Sequence, residues 1–374
     1  MRNVEQRLDR VLNVWGENFQ KRGELGASLC LWLDGRELLL QSGGWADDPN
    51  GTAWRDDTLV PVYSAGKGPA AFAVWHALHS GGLGPEDEVR TIWPALRLGG
   101  TKLGELMSHQ AGLAALDAPA RVDNYAEVIA ALERQTPLWT PPSHGYHPRT
   151  FGWICDELVR KASGAADFGE YWRVAVAVPN ELDVWFGLPD TEDVRVARIR
   201  ASKVGPRPDE QGFYHELGRS GSATMRAFSS PVGMHAISEM NKPESRRVGF
   251  PGFGAMASAR GLGRFYGLLA TGELGEPRIG AWLETAHVNG FDLVLQTFTS
   301  FSCGCMKDPV DADGRKVRSH FGPSFRAYGH PGAGGSHAFC DAEHRFAFAY
   351  VMNQFELGVM PGRKALDMVD AWYG

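Results

Sequence analysis

Two pairs of apolar runs lie at opposite ends of the sequence, and their placement restricts the fold more than any other feature. Near the start, 26-GASLCLWL-33 and 36-RELLLQSGGWA-46 are joined by Asp34-Gly35. That dipeptide supplies the positive φ angles of a tight hairpin turn. Near the end, 335-GSHAFCD-341 and 345-RFAFAYVMN-353 flank a second turn at Ala342-Glu343-His344. A helical pattern precedes the first pair, and another, from about Gly362 to Trp372, follows the second. Strands at both ends predict one antiparallel sheet assembled from the two termini. The middle differs: segments 69–80, 124–135, 149–163 and 257–270 read as helices between Pro- and Gly-rich loops, and 184–251 is irregular and polar. The fold class is therefore α+β, with a helix-rich insertion between two contributions to one sheet. The expected division is 1–78 with 275–374 as the sheet domain and 79–274 as the mostly helical domain, with the site in the cleft between them.

A chain of 374 residues buries roughly 75% of its unfolded surface, enough for one large domain or two. The net charge is −6 and no basic run occurs, which argues against nucleic acid or an anionic membrane as the partner. The first 26 residues carry helical spacing (Val4, Leu8, Val11, Leu12) with charges between, not the apolar core of a signal peptide. No stretch reaches the roughly 18 apolar residues of a membrane span. Five cysteines are sparse and odd in number, so reduced thiols in a cytoplasmic protein are expected. Cys303-Gly304-Cys305 is too isolated for a zinc site and reads as two strand residues beside a glycine. His76 and His79 are three apart on a predicted helix, with no third ligand in view. Neither a metal nor a cofactor is expected. A soluble enzyme or binding protein is the reading from bulk properties.

Chemistry enters at 60-VPVYSAGKGPAAFAVWHAL-78, where an apolar strand-like run gives way to an alanine-rich helix. A serine hydroxyl must lose its proton as it attacks, and residues i and i+3 share a helix face, so Lys67 is placed to serve Ser64. Lysine acts as a base only once neutral, which burial favours, and the small apolar neighbours of Lys67 permit burial. A helix N-terminus also directs free N–H groups at the serine. Taken alone, Ser-x-x-Lys recurs by chance, and a capping serine beside an ordinary lysine accounts for it more simply. A Ser-His-Asp triad finds no G-x-S-x-G elbow: 218-GRSGS-222 ends in serine and 334-GGSHA-338 in alanine.

Four further pieces follow in order: 81-GGLGPEDEV-89, 103-LGELMSHQAGL-113, 137-PLWTPPSHGYHPRTFGWICDELVRKASG-164 and 329-GHPGAGGSHAFCDAEHRFAFAYVMNQ-354. Together with Ser64-Ala65-Gly66-Lys67 they resemble the serine β-lactamase-like hydrolases, particularly class C β-lactamases and family VIII carboxylesterases, over nearly the whole chain. The resemblance implies a β-lactamase/transpeptidase-like fold. It implies Ser64 as the nucleophile of an acyl-enzyme, with Lys67 and Tyr146 as its base pair and Tyr146 later activating water. A phenol titrates near pH 10, so Tyr146 would act ionised or share a proton with the Lys67 ammonium. It also implies an oxyanion hole from the N–H groups of Ser64 and Ala333, with Gly332, Gly334 and Gly335 allowing close approach. His330 would lie beside the nucleophile, helping to hold Tyr146 ionised, contacting substrate, or merely capping a strand. His109 is expected in a structural turn.

Two departures from the β-lactamase pattern stand out. Tyr146-His147-Pro148 replaces Tyr-x-Asn, and His330-Pro331-Gly332 replaces Lys-Thr-Gly. Gly152 keeps its place six residues past the tyrosine, and Pro148 suits the first turn of the following helix. Tyr146-His147 with Gly152-Trp153 looks like the esterase branch, as does 240–266, expected to line or support the cleft. His147 and Trp153 are candidates for substrate-binding or supporting roles, and Trp153 and Trp185 for walls of an apolar pocket. The implied function is a carboxylesterase for small esters. The alternatives are a β-lactamase or D-amino-acid peptidase on the same site, or a non-catalytic ligand-binding protein that kept the fold.

Overall fold

The computed structural model describes residues 2–49, 51–201 and 205–374. Asp34 and Gly35 adopt φ angles of 51° and 78°, closing the hairpin of β1 (Gly26–Leu33) and β2 (Arg36–Gly44). The remaining strands of the main sheet are β3 (Val288–Phe291), β4 (Phe298–Phe301), β5 (Met306–Lys307), β6 (Ala327–Pro331), β7 (His337–Asp341) and β8 (Phe346–Met352). Their spatial order is β2-β1-β8-β7-β6-β5-β4-β3, antiparallel throughout. β1 joins β8 in the register Ala27–Met352 to Leu33–Phe346, so the sheet is indeed built from both termini.

The longer helices are α1 (Arg2–Lys21), α2 (Lys67–Ser80), α3 (Tyr125–Arg134), α4 (Phe151–Ser163), α5 (Ala259–Thr271) and α6 (Arg363–Tyr373). α1 and α6 pack together on one face of the sheet, where Trp15 meets Tyr350 edge-on and Trp372 stacks on Phe346 with ring centroids 4.5 Å apart. α5 covers β1, β7 and β8. β1 and β8 are therefore buried along almost their whole length, which explains their continuous rather than alternating apolar runs. The boundary expected at residue 274 assigned α5 to the helical domain, but its apolar stripe goes to the sheet. No helix among the described residues is long and apolar enough to cross a membrane.

α2 packs against α4 and is buried on nearly every side, from Lys67 through Trp75 and at Ala77 and Leu78. Small alanines let it fill the middle of the molecule. That placement also takes Lys67 out of water. A three-stranded ribbon of Val60–Pro61, Met256–Ala257 and Val184–Trp185 delivers the chain to the turn before α2. Beyond the Val184–Trp185 strand, the described part of the irregular region 184–251 holds short helices, Gln211–Gly218, Ala223–Ser229 and Pro243–Val248, and brief 3₁₀ segments.

Candidate active site

Tyr63–Gly66 forms a 3₁₀ turn ahead of α2, so Ser64 precedes the helix that the sequence pattern placed it on. Tyr63 has φ = 49°, an uncommon conformation for a bulky residue. In a 3₁₀ turn residues three apart eclipse, and Lys67 Nζ lies 3.1 Å from Ser64 Oγ. The lysine is fully buried. Its amine also donates to the carbonyls of Pro148, at 3.0 Å, and Gly252. No carboxylate bonds it among the described residues. Burial without a counter-ion brings its pKa down to about 7. A neutral amine has two N–H donors and one lone pair. As an ammonium Lys67 donates to Ser64 Oγ and both carbonyls; once neutral, with the carbonyls holding its two donors, its lone pair is left to the Ser64 hydroxyl.

Tyr146 Oη is 2.7 Å from Ser64 Oγ on the other side. Its ring stacks on Phe301 at 5.9 Å and packs against His109 and His330, while Lys67 Nζ sits 4.9 Å above the ring centroid. Burial pushes the phenol pKa up, against the smaller opposing effect of the Ser64 hydrogen bond. The tyrosine is thus a neutral phenol, and no hydrogen bond links it to Lys67 among the described residues. Ser64 Oγ lies between a group suited to take a proton and a group suited to give one.

Ser64 and Ala333 are partly exposed, and among the described residues neither backbone N–H is spent on a hydrogen bond. The chain leaving β6 is held by Gly332 N–H to the Ser336 carbonyl, at 2.7 Å. A Cβ on Gly332 would fall on the Val62 carbonyl oxygen. Only glycine lets this strand end lie against the Ser64 turn. On the oxyanion hole that the resemblance implies, Gly332→Ala is expected to push the Ala333 N–H off line and cost on the order of 10²-fold in kcat; steady-state kinetics on p-nitrophenyl butyrate measures this.

His330 lies inside β6, paired with Ala338, and so does not cap the strand. Its Nδ1 bonds the Pro331 carbonyl at 2.7 Å, which fixes the proton there. Burial, with a smaller contribution from nearby Lys67, holds its pKa at about 3. A neutral ring beside Tyr146 offers it contact and not charge. His147 is fully buried: Nε2 accepts from Leu113 N–H at 2.9 Å and Nδ1 donates to Gly145 O at 2.8 Å. Both ring nitrogens are thus spent inside the protein, bracing the tyrosine loop. His109 has φ = 67° and accepts from His147 N–H at 3.3 Å, the structural turn expected of it. Pro148 is not in the first turn of α4, which starts at Phe151; the loop instead turns its carbonyl to Lys67.

Trp153 packs against Phe250 and Phe253, with centroids 5.0 and 6.2 Å away. No ring contact or hydrogen bond joins it to Ser64, Lys67 or Tyr146 among the described residues, and it lines, with Trp185, a separate cavity of about 640 Å³. The segment 240–266 does support the site, through Gly252. His76 bonds the Tyr171 hydroxyl at 2.8 Å, and His79 lies edge-on to Trp282. Cys303 and Cys305 occupy the turn between β4 and β5 rather than a strand. The one group of three potential metal ligands among the described residues, Asp341, Glu343 and His344, is the β7–β8 turn, where Asp341 accepts from the other two residues' N–H groups.

Sequence reasoning missed three groups. The Pro148 and Gly252 carbonyls are backbone atoms with no residue signature. Asp292 is fully buried; its Oδ1 accepts from Tyr146 N–H at 3.0 Å and from Val294 and Leu295 N–H at 2.8 Å each. Thr299 Oγ1 donates to its Oδ2 at 3.1 Å. The available signal was an acid inside the apolar run 291-FDLVL-295, since a buried carboxylate requires partners.

A serine joined to a buried lysine and a tyrosine, where an antiparallel sheet meets a helical layer, makes this chain a serine hydrolase. Residues 2–370 match the family described as Beta-lactamase, and the chain belongs to that family. The Esterase/beta-lactamase LipL of Mycobacterium tuberculosis is 27% identical over 368 residues, covering 94% of this chain and 82% of its own length. A penicillin-binding protein homolog from Caulobacter crescentus shares the fold with a TM-score of 0.84 at 30% identity, over 98% of this chain and 97% of that one. A family VIII carboxylesterase does so with a TM-score of 0.84 at 27% identity, over the same shares of the two chains.

Proposed function

We propose that this hydrolase is a carboxylesterase for small esters, working through an acyl-enzyme on Ser64. The observation that carries the reading is that Ser64 Oγ is bonded at once by Lys67 Nζ and Tyr146 Oη. Oγ attacks the ester carbonyl while its proton passes to the neutral Lys67 amine. The oxyanion is received by the N–H groups of Ser64 and Ala333. As the intermediate collapses, Tyr146 gives its proton to the departing alkoxide, and the Lys67 ammonium beside it balances the phenolate. In the second half the phenolate takes a proton from water, the hydroxide attacks the acyl carbon, and Ser64 leaves with the proton held by Lys67. The acid is released with both bases restored.

Esters are favoured over β-lactams by the same loop. The residue two past Tyr146 is a proline whose carbonyl is committed to Lys67, and His147 is turned inward, so neither offers an amide to an acylamino side chain. His330 brings no positive charge to the cleft. The name of the mycobacterial relative keeps β-lactam hydrolysis as the second reading.

Hydrolysis of p-nitrophenyl acetate and butyrate, hydrolysis of nitrocefin, and fluorophosphonate labelling test both readings, each alongside Ser64→Ala. Ester turnover and labelling are expected in the wild type, and both vanish in S64A. Nitrocefin turnover as efficient as ester turnover would move the assignment to the second reading, and absence of turnover and labelling would leave a ligand-binding protein.

A further inference from the structure

The cavity of about 640 Å³ that holds Trp153 does not include Ser64, Lys67 or Tyr146. Its volume is in the range of small-molecule sites. Its walls are aromatic, from Trp153, Trp172, Trp185, Phe168 and Phe250. Trp172 and Trp185 spend their indole N–H groups on the Val184 carbonyl and the Asp183 carboxylate. The Trp153 indole N–H makes no hydrogen bond to protein among the described residues, and it is not among the buried atoms cut off from solvent. A second donor is also unspent: the Arg173 guanidinium lies 4.1 Å over the Trp185 ring and makes no ion pair or hydrogen bond among the described residues.

The other charges on the walls are committed. Asp123 pairs with Arg121, Asp156 with Arg160, and Arg247 with Asp190. Asp167 and Glu170 are exposed carboxylates at the rim, each taking one backbone N–H. Among the aromatic walls themselves the groups left open are donors. An aromatic hollow with an open indole N–H and an unpaired guanidinium suits a flat apolar body ending in an anionic oxygen pair. We infer that this cavity is a second ligand site, separate from the Ser64 cleft, for an aryl or acyl carboxylate.

The two sites share a wall. Gly152 and Pro251 line the cavity, and the next residue, Gly252, gives its carbonyl to Lys67. A Cβ on Gly152 would stand 2.7 Å from Gly252 N, so the partition is as thin as backbone allows.

Titration of the full chain with 1-naphthoate, read by tryptophan fluorescence and calorimetry, tests the inference. One molecule is expected to bind per chain, and protein labelled at its catalytic serine with a fluorophosphonate should bind it equally well. Arg173→Gln should weaken binding at least tenfold and Trp153→Phe severalfold, both with p-nitrophenyl butyrate turnover unchanged. The inference fails if labelled protein no longer binds, if 1-naphthylmethylamine or 1-naphthylmethanol binds as tightly as the carboxylate, if R173Q binds like the wild type, or if nothing binds.

Discussion

Lys67→Met should lower kcat/KM for p-nitrophenyl butyrate by on the order of 10²- to 10⁴-fold, the usual worth of a general base. The wild type should show an acid limb centred near pH 7, and the variant should lack it. The sign follows from burial. Desolvation disfavours the ammonium and brings the Lys67 pKa from 10.5 to about 7, so the amine is a base above that pH and is spent as an ammonium below it. Activity therefore falls as pH drops through 7. A limb that survives in K67M would assign the titration to another group. Because the variant also strands the carbonyls of Pro148 and Gly252, thermal melts alongside the kinetics separate lost chemistry from lost structure.

Asp292→Ala should destabilise the protein by about 3 kcal/mol or more, since a buried donor left without its acceptor costs roughly 1–3 kcal/mol and three backbone N–H groups depend on Oδ1. Activity should drop as well, because one of those N–H groups belongs to Tyr146. Asp292→Asn keeps the acceptor oxygen and should stay within about 1 kcal/mol of the wild type, with turnover largely retained. Urea denaturation of the two variants checks the difference. Equal losses in both would mean that charge, not hydrogen-bond geometry, holds the tyrosine loop.

The parts legible in the sequence were those where side-chain type and local geometry coincide. Asp34-Gly35 specifies a turn by its backbone preferences. The runs of β1, β7 and β8 are apolar enough to be recognised wherever they pack, and the alanines of α2 announce a helix that must be buried. Ser64 and Lys67 are three residues apart, and local spacing alone brings them together. Strands β3 to β5 were not read, and β6 was recognised only through the resemblance at His330-Pro331-Gly332. β5 has two residues and β3 is half exposed. The helix α5 was found, but its partner was not, because an amphipathic stripe states that a face is buried and not against what. The same limit applied at the site. The carbonyls that tune Lys67 come from positions 81 and 185 residues away.

The seam between β1 and β8 also orders events in time. As the polypeptide is synthesised, Ser64 and Lys67 emerge early, but β6 and its glycine end arrive late, and the sheet closes only once β8 can pair with β1. Until then the Gly332–Ala333 end of β6 is not seated against the Ser64 turn, although the partners that bury Lys67, at Pro148, Phe151 and Gly252, are already made. On the proposed mechanism the oxyanion site is thus the last part to be completed.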